Sequence, residues 1–190
     1  MSGRAVYAKG IAKREEILEA ALDVIATRGY RGASVREIAE AVGLSPAGLL
    51  HYFESKEELF IAILRARDER DVRTYGTDDA IETLLSVVRH NSAVPGLVQL
   101  YAQLAAEAGD PAHPAHVYFR ERTALVESAT RAQVAQDQEA GLIRDDLDPA
   151  WIVRSVHALA DGLQSAWMLD PSIDMAAEIE QFIALLRPAP

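Results

Sequence analysis

One short stretch of this sequence carries the residues with the clearest chemical potential. Two small residues, Ala47 and Gly48, are followed by His51 and Tyr52, whose side chains can donate hydrogen bonds. Small residues let a backbone approach a surface closely, and His and Tyr can bond to phosphates or base edges. Lys56 follows at the predicted start of another helix, where backbone N–H groups favour an anion. The pattern favours contact with a nucleic acid.

Two predicted helices and a tight turn position these residues. Ser34 is a good N-cap, and Glu37 three residues later completes a capping box. Gly43 is predicted to end the helix, because a left-handed residue after a helix strongly favours glycine. Ser45 caps the next helix, and Pro46 takes its first position, where a missing N–H costs nothing. Helix, glycine turn and helix form the helix-turn-helix arrangement, whose second helix enters the DNA major groove.

A purely structural interpretation of the same stretch stays open. Helical corners are common in all-α proteins, and a lone glycine turn is weak evidence for DNA binding. A glycine inside so short a helix nevertheless suggests a reason other than helix stability. The first helix, predicted from about residue 9 to residue 28 with Gly29 as its end, has basic residues near its start. They form either a solvated face or a set of phosphate contacts: Arg4, Lys9, Lys13 and Arg14.

The segment resembles the DNA-binding domain of the tetracycline-repressor (TetR) family of bacterial transcriptional regulators. The matching motifs are SVREIA at 34–39, GLS at 43–45, Leu49, HYF at 51–53, SKEEL at 55–59, and the preceding RGY at 28–30. They cover about the first third of the chain, and the remainder matches the family only in length and helical character. Leu50 departs from the family, where many members carry a Tyr that often touches a phosphate. Leucine cannot donate, so that contact is lost or moved to a neighbour.

The motif and the resemblance together predict a set of DNA-contacting residues. These are Ser34, Arg36, Ser45, Pro46, Ala47, Gly48, His51, Tyr52 and Lys56. The position of Arg36 often reaches DNA in the family. Its alternative role is an exposed pair with Glu40, four residues further on.

Charge and composition divide the chain in two. Residues 1–75 hold 12 basic and 12 acidic residues, whereas residues 76–190 hold 7 and 17 and carry the whole net charge of −10. DNA would repel the acidic residues 76–190, and this repulsion would orient the N-terminal part without net charge, residues 1–75, toward the DNA. No run approaches the roughly 20 apolar residues of a membrane helix. The absence of cysteine excludes disulfides and cysteine metal sites, and it fits a cytoplasmic protein.

Helical periodicity without strand alternation predicts an all-α fold of about nine helices. The expected organisation is a helix-turn-helix DNA-binding domain at residues 1–56, in which three helices precede a fourth helix at 56–73 that acts as a connector. A larger helical domain for ligand binding and dimerisation follows at residues 74–190.

The larger domain offers candidate residues for an effector, but no catalytic constellation and no cofactor motif. Polar or amphipathic residues within otherwise apolar helices are the candidates for ligand contact: His90, Asn91, Tyr101, His116, Tyr118 and Trp167. Each is also compatible with an ordinary core or surface role. His113 and His116 are close enough to share a helix face, but no acidic residue at suitable spacing completes a metal site.

The last two helices carry apolar rows that exceed what the core of one subunit needs, and the resemblance implies a four-helix bundle at the dimer interface. The predicted interface residues are Ile152, Val156, Leu159, Leu163, Ile179, Phe182, Ile183 and Leu186. The alternative is that both rows face the subunit's own core.

The sequence thus predicts a transcriptional regulator, a repressor rather than an enzyme. It would bind a palindromic double-stranded DNA operator as a homodimer through the helix at 45–52, and a small-molecule effector would release it. The competing functions are a helical ligand-binding or scaffold protein without DNA binding, and a small helical enzyme. Binding to DNA in a gel-shift separates the first of these from a regulator, and turnover of a substrate would identify the second.

Overall fold

The computed structural model describes residues 2–188, without the side chains of residues 2–6 and 31. Within that range the chain forms nine α-helices and no strand, which confirms the predicted all-α fold. The helices are α1 Ser2–Gly32, α2 Val35–Ala41, α3 Pro46–Leu50, α4 Lys56–Tyr75, α5 Ala80–Asn91, α6 Pro95–Glu107, α7 Ala115–Glu139, α8 Pro149–Leu169 and α9 Met175–Leu185.

Local capping explains where most of these helices begin. The carboxylates of Asp79, Asp148 and Asp174 accept hydrogen bonds from backbone N–H groups in the first turns of α5, α8 and α9. Proline occupies the first position of α6 and α8, where its fixed φ suits a helix start. Such signals are local in sequence, and they therefore predict helix starts well.

The first helix is longer than the sequence predicts. It begins at Ser2 rather than near residue 9, because no strong helix breaker separates residues 2–8 from the apolar stripe that follows. Gly29 has a non-helical backbone with φ 73° and ψ 166°, so the regular helix ends there as predicted. One further helical turn follows the kink and extends α1 to Gly32.

The helices pack as two compact units. The first consists of Met1–Arg70 with Val94–His116, and the second of Asp71–Ala93 with Val117–Pro190. In the first unit α1 packs against α2 and α6, and α2 packs against α3. Its core contains fully buried aliphatic residues from five helices: Ile17, Ile25, Ile38, Leu49, Leu59, Ile63 and Leu97. In the second unit α9 packs against both α5 and α8.

This grouping differs from the predicted domain boundary in one element. The sequence assigned every residue after 73 to the second domain, whereas α6 packs with the N-terminal helices in the first unit. The first change of unit along the chain follows residue 70, within α4. The functional boundary near residue 74 stays a prediction, and the structure adds α6 to the elements that support the helix-turn-helix.

No helix in the described part of the chain is both long and apolar enough to cross a membrane.

Candidate nucleic-acid interface

A reciprocal capping box fixes the start of α2. The backbone N–H of Ser34 donates to Glu37 Oε2 at 2.9 Å, and the backbone N–H of Glu37 donates to Ser34 Oγ at 3.2 Å. Arg28 on α1 adds an ion pair to Glu37 Oε1 at 3.1 Å. The pKa of Glu37 is lowered, first by the backbone hydrogen bond from Ser34 and further by the Ser34 hydroxyl and by Arg28. This predicted N-cap is confirmed, and α1 contributes to it.

The turn after α2 closes in the geometry that requires glycine. Gly43 has a φ of 68°, in the left-handed region. The N–H of Leu44 donates to the carbonyl of Ala39 at 2.8 Å, and that of Gly43 to Glu40 at 3.2 Å. These two bonds form a Schellman motif. Lys13 Nζ on α1 donates to the Val42 carbonyl at 3.0 Å, so α1 also fixes the end of α2.

The short helix α3 is anchored at one side and capped at its start. Ser45 Oγ accepts a hydrogen bond from the backbone N–H of Gly48 at 3.0 Å. Leu49 is fully buried and holds the helix in the core of the first unit. Ala47 and His51, four residues apart, are exposed and therefore share the outward face. This face is free to approach a surface.

Gly48 has a local packing role in addition to the expected close approach to DNA. A Cβ atom added at Gly48 would lie 3.1 Å from Ser45 Oγ, the oxygen that caps the helix. Glycine therefore keeps the cap undistorted, and a substitution at Gly48 would disturb α3 as well as any DNA contact.

The start of α4 places a cation beside a capped helix N-terminus. Ser55 Oγ caps the helix by accepting from the N–H of Glu58 at 3.1 Å. Lys56 is exposed, and its Nζ lies 5.5 Å from the centre of the Phe60 ring. The pKa of Glu57 is lowered, mainly by a hydrogen bond from its own backbone N–H and then by the Ser55 hydroxyl. This terminus suits a phosphate group.

The nine residues predicted to contact DNA all lie at the surface of the first unit. Gly48 and Tyr52 are half-buried, and the other seven are exposed: Ser34, Arg36, Ser45, Pro46, Ala47, His51 and Lys56. Ser34 and Ser45 use their hydroxyls as caps, which makes them positioning residues. Among the described residues Arg36 has no ion-pair partner, so the alternative pair with Glu40 does not form.

The basic residues near the start of α1 divide between internal and surface roles. Lys13 pairs with Glu16 at 2.7 Å in addition to its bond to α2. The Arg14 guanidinium lies 4.8 Å from the centre of the Phe53 ring and stabilises the end of the helix-turn-helix. Lys9 is exposed, and the side chain of Arg4 lies outside the described part of the structure.

The six candidate ligand residues are divided between the two units. Tyr101 and His116 belong to the first unit, where the Arg67 guanidinium lies 5.1 Å from the Tyr101 ring and His116 Nδ1 donates to the Ala108 carbonyl at 2.9 Å. The second unit holds His90, Asn91, Tyr118 and Trp167. His90 stacks on Tyr75 with ring centres 5.0 Å apart.

Asn91 differs from the other candidates in its hydrogen bonding. It is 6% exposed, and its Oδ1 has no hydrogen-bond partner among the described residues. A buried polar atom without a partner is unusual in a folded protein and calls for an explanation.

His113 and His116 make local bonds rather than a shared ligand set. His113 Nδ1 accepts from the N–H of Ala115 at 3.2 Å, and its Nε2 lies 3.5 Å from a Glu107 oxygen. Within the described residues no three His, Asp or Glu side chains converge as a metal site would require.

The eight residues predicted to form the dimer interface divide into a buried group and a half-buried group. Ile152, Val156, Ile179 and Leu186 are at most 5% exposed within the single chain. They pack the core of the second unit, because the apolar faces of α8 and α9 cover each other, and this part of the interface prediction is corrected. The half-buried residues of the rows are Leu159, Leu163, Phe182 and Ile183.

The outer face of α8 and the end of α9 carry apolar residues that the sequence analysis did not select. Trp151 is 47% exposed, Leu169 is 90% exposed and Leu185 is 71% exposed. Ala158 and Gly162 lie between Trp151 and Leu169 on α8, and both are exposed. Trp151, Ala158, Gly162 and Leu169 follow one another at intervals of 7, 4 and 7 residues, which places them on one face of α8. The same helical spacing could have been recognised in the sequence by counting forward from Trp151.

A surface cleft of about 570 Å³ lies in the second unit, between the α7–α8 connection and the end of α9. Its lining includes Arg144, which forms a two-bond ion pair with Asp146. That pair lowers the pKa of Asp146, and none of the predicted ligand residues lines the cleft.

Comparison with known proteins agrees with the helix-turn-helix geometry. The sequence profile of "Bacterial regulatory proteins, tetR family" matches residues 17–63. The HTH-type transcriptional repressor Rv1474c of Mycobacterium tuberculosis is 30% identical over 157 residues, covering 80% of each chain. The HTH-type transcriptional repressor AcnR of Corynebacterium efficiens is 26% identical over 174 residues, covering 90% of each chain.

A solved structure extends the likeness to the whole fold. The crystal structure of a proposed TetR-family transcriptional regulator from Rhodococcus sp. superposes with a TM-score of 0.69 at 27% identity, covering 92% of this chain and 98% of that one. The capped helix-turn-helix, the matching profile and relatives aligned along most of their length lead to one conclusion. The chain belongs to the TetR family of transcriptional regulators and is not an enzyme.

Proposed function

We propose that the protein is a repressor that binds a palindromic operator as a homodimer, with α3 in the major groove of each half-site. The observation that carries this proposal is the outward face of α3. Leu49 anchors the helix from within, Ser45 caps it, and Ala47 is left exposed. The names of the aligned relatives, both called transcriptional repressors, support repression rather than activation.

The charges of the first unit also support binding of α3 in the DNA major groove. Arg36 and Lys56 flank α3 in the sequence, are exposed, and have no ion-pair partner among the described residues. Basic side chains of this kind neutralise phosphates and supply affinity that does not depend on sequence. The acidic balance of residues 76–190 disfavours contact between that part of the chain and DNA.

A substitution at Ala47 tests the placement of α3. Ala47→Glu would put a negative charge on the outward face, and we expect specific DNA binding to be lost while the helical circular-dichroism signal is kept. Ala47 is a better test position than Gly48, because a side chain at Gly48 would crowd the capping oxygen of Ser45. Ala106→Glu, at an exposed alanine of α6 in the same unit, is the matched control. Normal operator binding by Ala47→Glu would show that α3 is not the reading helix.

We propose that the dimer forms through the exposed apolar face of α8 with the end of α9. Large exposed apolar residues are candidates for an interface, and Trp151, Leu169 and Leu185 keep much of their surface exposed in the single chain. A two-fold pairing of these helices would bury that surface symmetrically. A homodimer carries two α3 helices, and successive major grooves require them to lie about 34–36 Å apart.

Charge substitutions on this face test the interface without harming the subunit. Ala158→Glu with Gly162→Glu adds like charges near the two-fold axis, and a Cβ at Gly162 meets nothing within 4 Å in the subunit. We expect a shift toward monomer in sedimentation and a loss of operator affinity. Gln99→Glu with Ala106→Glu adds the same charge at exposed positions of α6 as a control. A double variant that stays dimeric would move the interface elsewhere.

We propose that a small-molecule effector binds within the second unit and contacts Asn91. The buried Oδ1 of Asn91 lacks a partner in the described chain, and a donor on the effector would satisfy it. An effector that prefers a conformation with wrongly spaced α3 helices would release the operator by linkage.

The site of action would be the cytoplasm, where the DNA of a bacterial regulator lies.

A further inference from the structure

The outward face of α3 is unusual in its chemistry. The helix contains Pro46, Ala47, Gly48, Leu49 and Leu50 and therefore has no charged or amide side chain. Leu49 faces the core, and Leu50 is half-buried at the edge of the outward face.

The spacing of the apolar residues makes a continuous patch. Leu50 follows Ala47 by three residues and Pro46 by four, so the three side chains are neighbours on one side of α3. Pro46 and Ala47 are exposed. The patch, defined as Pro46, Ala47 and Leu50, ends at His51, which is exposed and carries a hydrogen-bonding side chain.

Base recognition in the major groove depends on a small set of matched groups. Guanine is read by Arg or Lys, adenine by Asn or Gln, and cytosine by Asp or Glu, in each case through side-chain hydrogen bonds. Apolar side chains instead contact the C5-methyl group of thymine. The helix α3 holds none of the first three kinds of reader, so its direct contacts are limited to methyl groups and to what His51 can bond.

We infer that the patch of Pro46, Ala47 and Leu50 reads the methyl groups of thymines in each operator half-site. The inference rests on the proposed function, in which α3 lies in the major groove. Cβ atoms three residues apart on a helix are separated by about 5–6 Å. Successive base pairs rise by about 3.4 Å. Ala47 and Leu50 therefore reach methyl groups on the same or neighbouring base pairs, and the half-site contains a short thymine-bearing step there.

Replacing single thymines by uracil isolates this contact, because uracil lacks only the methyl group. The probe is a duplex selected by the full-length protein from random DNA, and affinity is measured by fluorescence anisotropy. Burial of one methyl-sized group corresponds to a change in affinity of about fourfold. We expect such a loss at one or two thymines in each half-site, and a roughly 15-fold loss when both half-sites are changed at the same position.

Protein variants then assign the contacts. In Leu50→Ala the loss caused by uracil should disappear at one position, and in Ala47→Gly at its neighbour. Lys56→Ala, which alters a proposed phosphate contact, should bind more weakly but keep the full uracil effect. Replacement of the thymine by cytosine should be partly rescued by 5-methylcytosine, because it restores the methyl group at the same place.

The outcomes separate this inference from the proposed function. A selected operator whose affinity is unchanged by uracil at every position would overturn the reading of methyl groups and leave DNA binding intact. An unaltered uracil effect in both Leu50→Ala and Ala47→Gly would overturn the assignment to α3. Failure to select any sequence would contradict the proposed function itself.

Discussion

Gly96, at the start of α6, lies directly against Ile25 of α1. A Cβ atom added at Gly96 would lie 2.3 Å from the carbonyl oxygen of Ile25 and 2.8 Å from Cα of Gly29, the residue at the kink of α1. Backbone atoms cannot move aside as a flexible side chain can. The absence of a side chain at Gly96 therefore allows α6 to pack on the helix that supports the helix-turn-helix.

We expect Gly96→Ala to destabilise the first unit by about 1–3 kcal/mol, the usual cost of overpacking a tight contact. Urea unfolding of the wild type and the variant measures the difference. Gly10→Ala is the matched control in the same unit, since a Cβ at Gly10 meets nothing within 4 Å. That control should be stabilised by about 0.5–1 kcal/mol, because alanine favours a helix interior over glycine. Equal stability of Gly96→Ala and the wild type would show that α6 does not pack on α1 in this way.

Lys56→Ala should weaken binding to operator and to random DNA by the same factor. The side chain is exposed beside the capped start of α4, and a phosphate contact carries no sequence information. The log–log dependence of affinity on salt should become shallower by about one unit. Arg131→Ala, at an exposed position of α7, should leave both quantities unchanged. An unaltered salt dependence in Lys56→Ala would remove this lysine from the phosphate contacts.

Asn91→Leu should stabilise the protein in the absence of effector. The substitution keeps the branching of the side chain and removes a buried oxygen that has no partner among the described residues. Removing a buried polar group that has no hydrogen-bond partner should raise the free energy of unfolding by about 1–3 kcal/mol. The same variant should bind operator normally and should no longer respond to the effector. A loss of stability in Asn91→Leu would indicate that Oδ1 is already satisfied in the folded protein.

The stability of the protein should fall in mildly acidic solution because of His157. Burial lowers the pKa of this half-buried imidazole below 6.5, with a further contribution from Arg122, while Asp161 and Glu127 oppose the shift. The folded state therefore binds the proton less readily than the unfolded state. The contribution of the neutral imidazole to the free energy of unfolding is complete above about pH 6.5. It is lost as the pH falls through the pKa of His157 in the folded state.

Unfolding measured across pH for the wild type and His157→Gln checks this dependence. The difference in free energy of unfolding between the two should be constant above about pH 6.5 and change below it. A difference that stays constant down to pH 4 would show that His157 titrates alike in both states.

Local signals made the helix-turn-helix predictable from the sequence. Ser34 and Glu37 cap each other within one turn, and Gly43 takes the left-handed conformation that its position after α2 demands. Such bonds join residues three to five apart, so the residue types alone are sufficient to infer them. The predicted cap of α3 at Ser45 follows the same rule and is confirmed, and Ser55 caps α4 in the same way.

Long-range packing could not be predicted in the same way. Periodicity shows that α8 and α9 each have an apolar face, but it does not show what covers that face. Ile152 and Ile179 were therefore assigned to a dimer interface, whereas they are buried in the core of the second unit. The contact of Gly96 with Ile25 joins residues 71 positions apart in the sequence, and no local sequence pattern indicates it.

Selection of bound sequences from a random DNA pool by the full-length protein tests the central claim most directly. We expect enrichment of an inverted repeat whose half-site centres are separated by about one helical turn or a multiple of it, since two α3 helices face successive major grooves. Ala47→Glu should enrich nothing under the same conditions. Enrichment of a sequence without two-fold symmetry, or the same inverted repeat from the Ala47→Glu variant, would contradict dimeric recognition through α3.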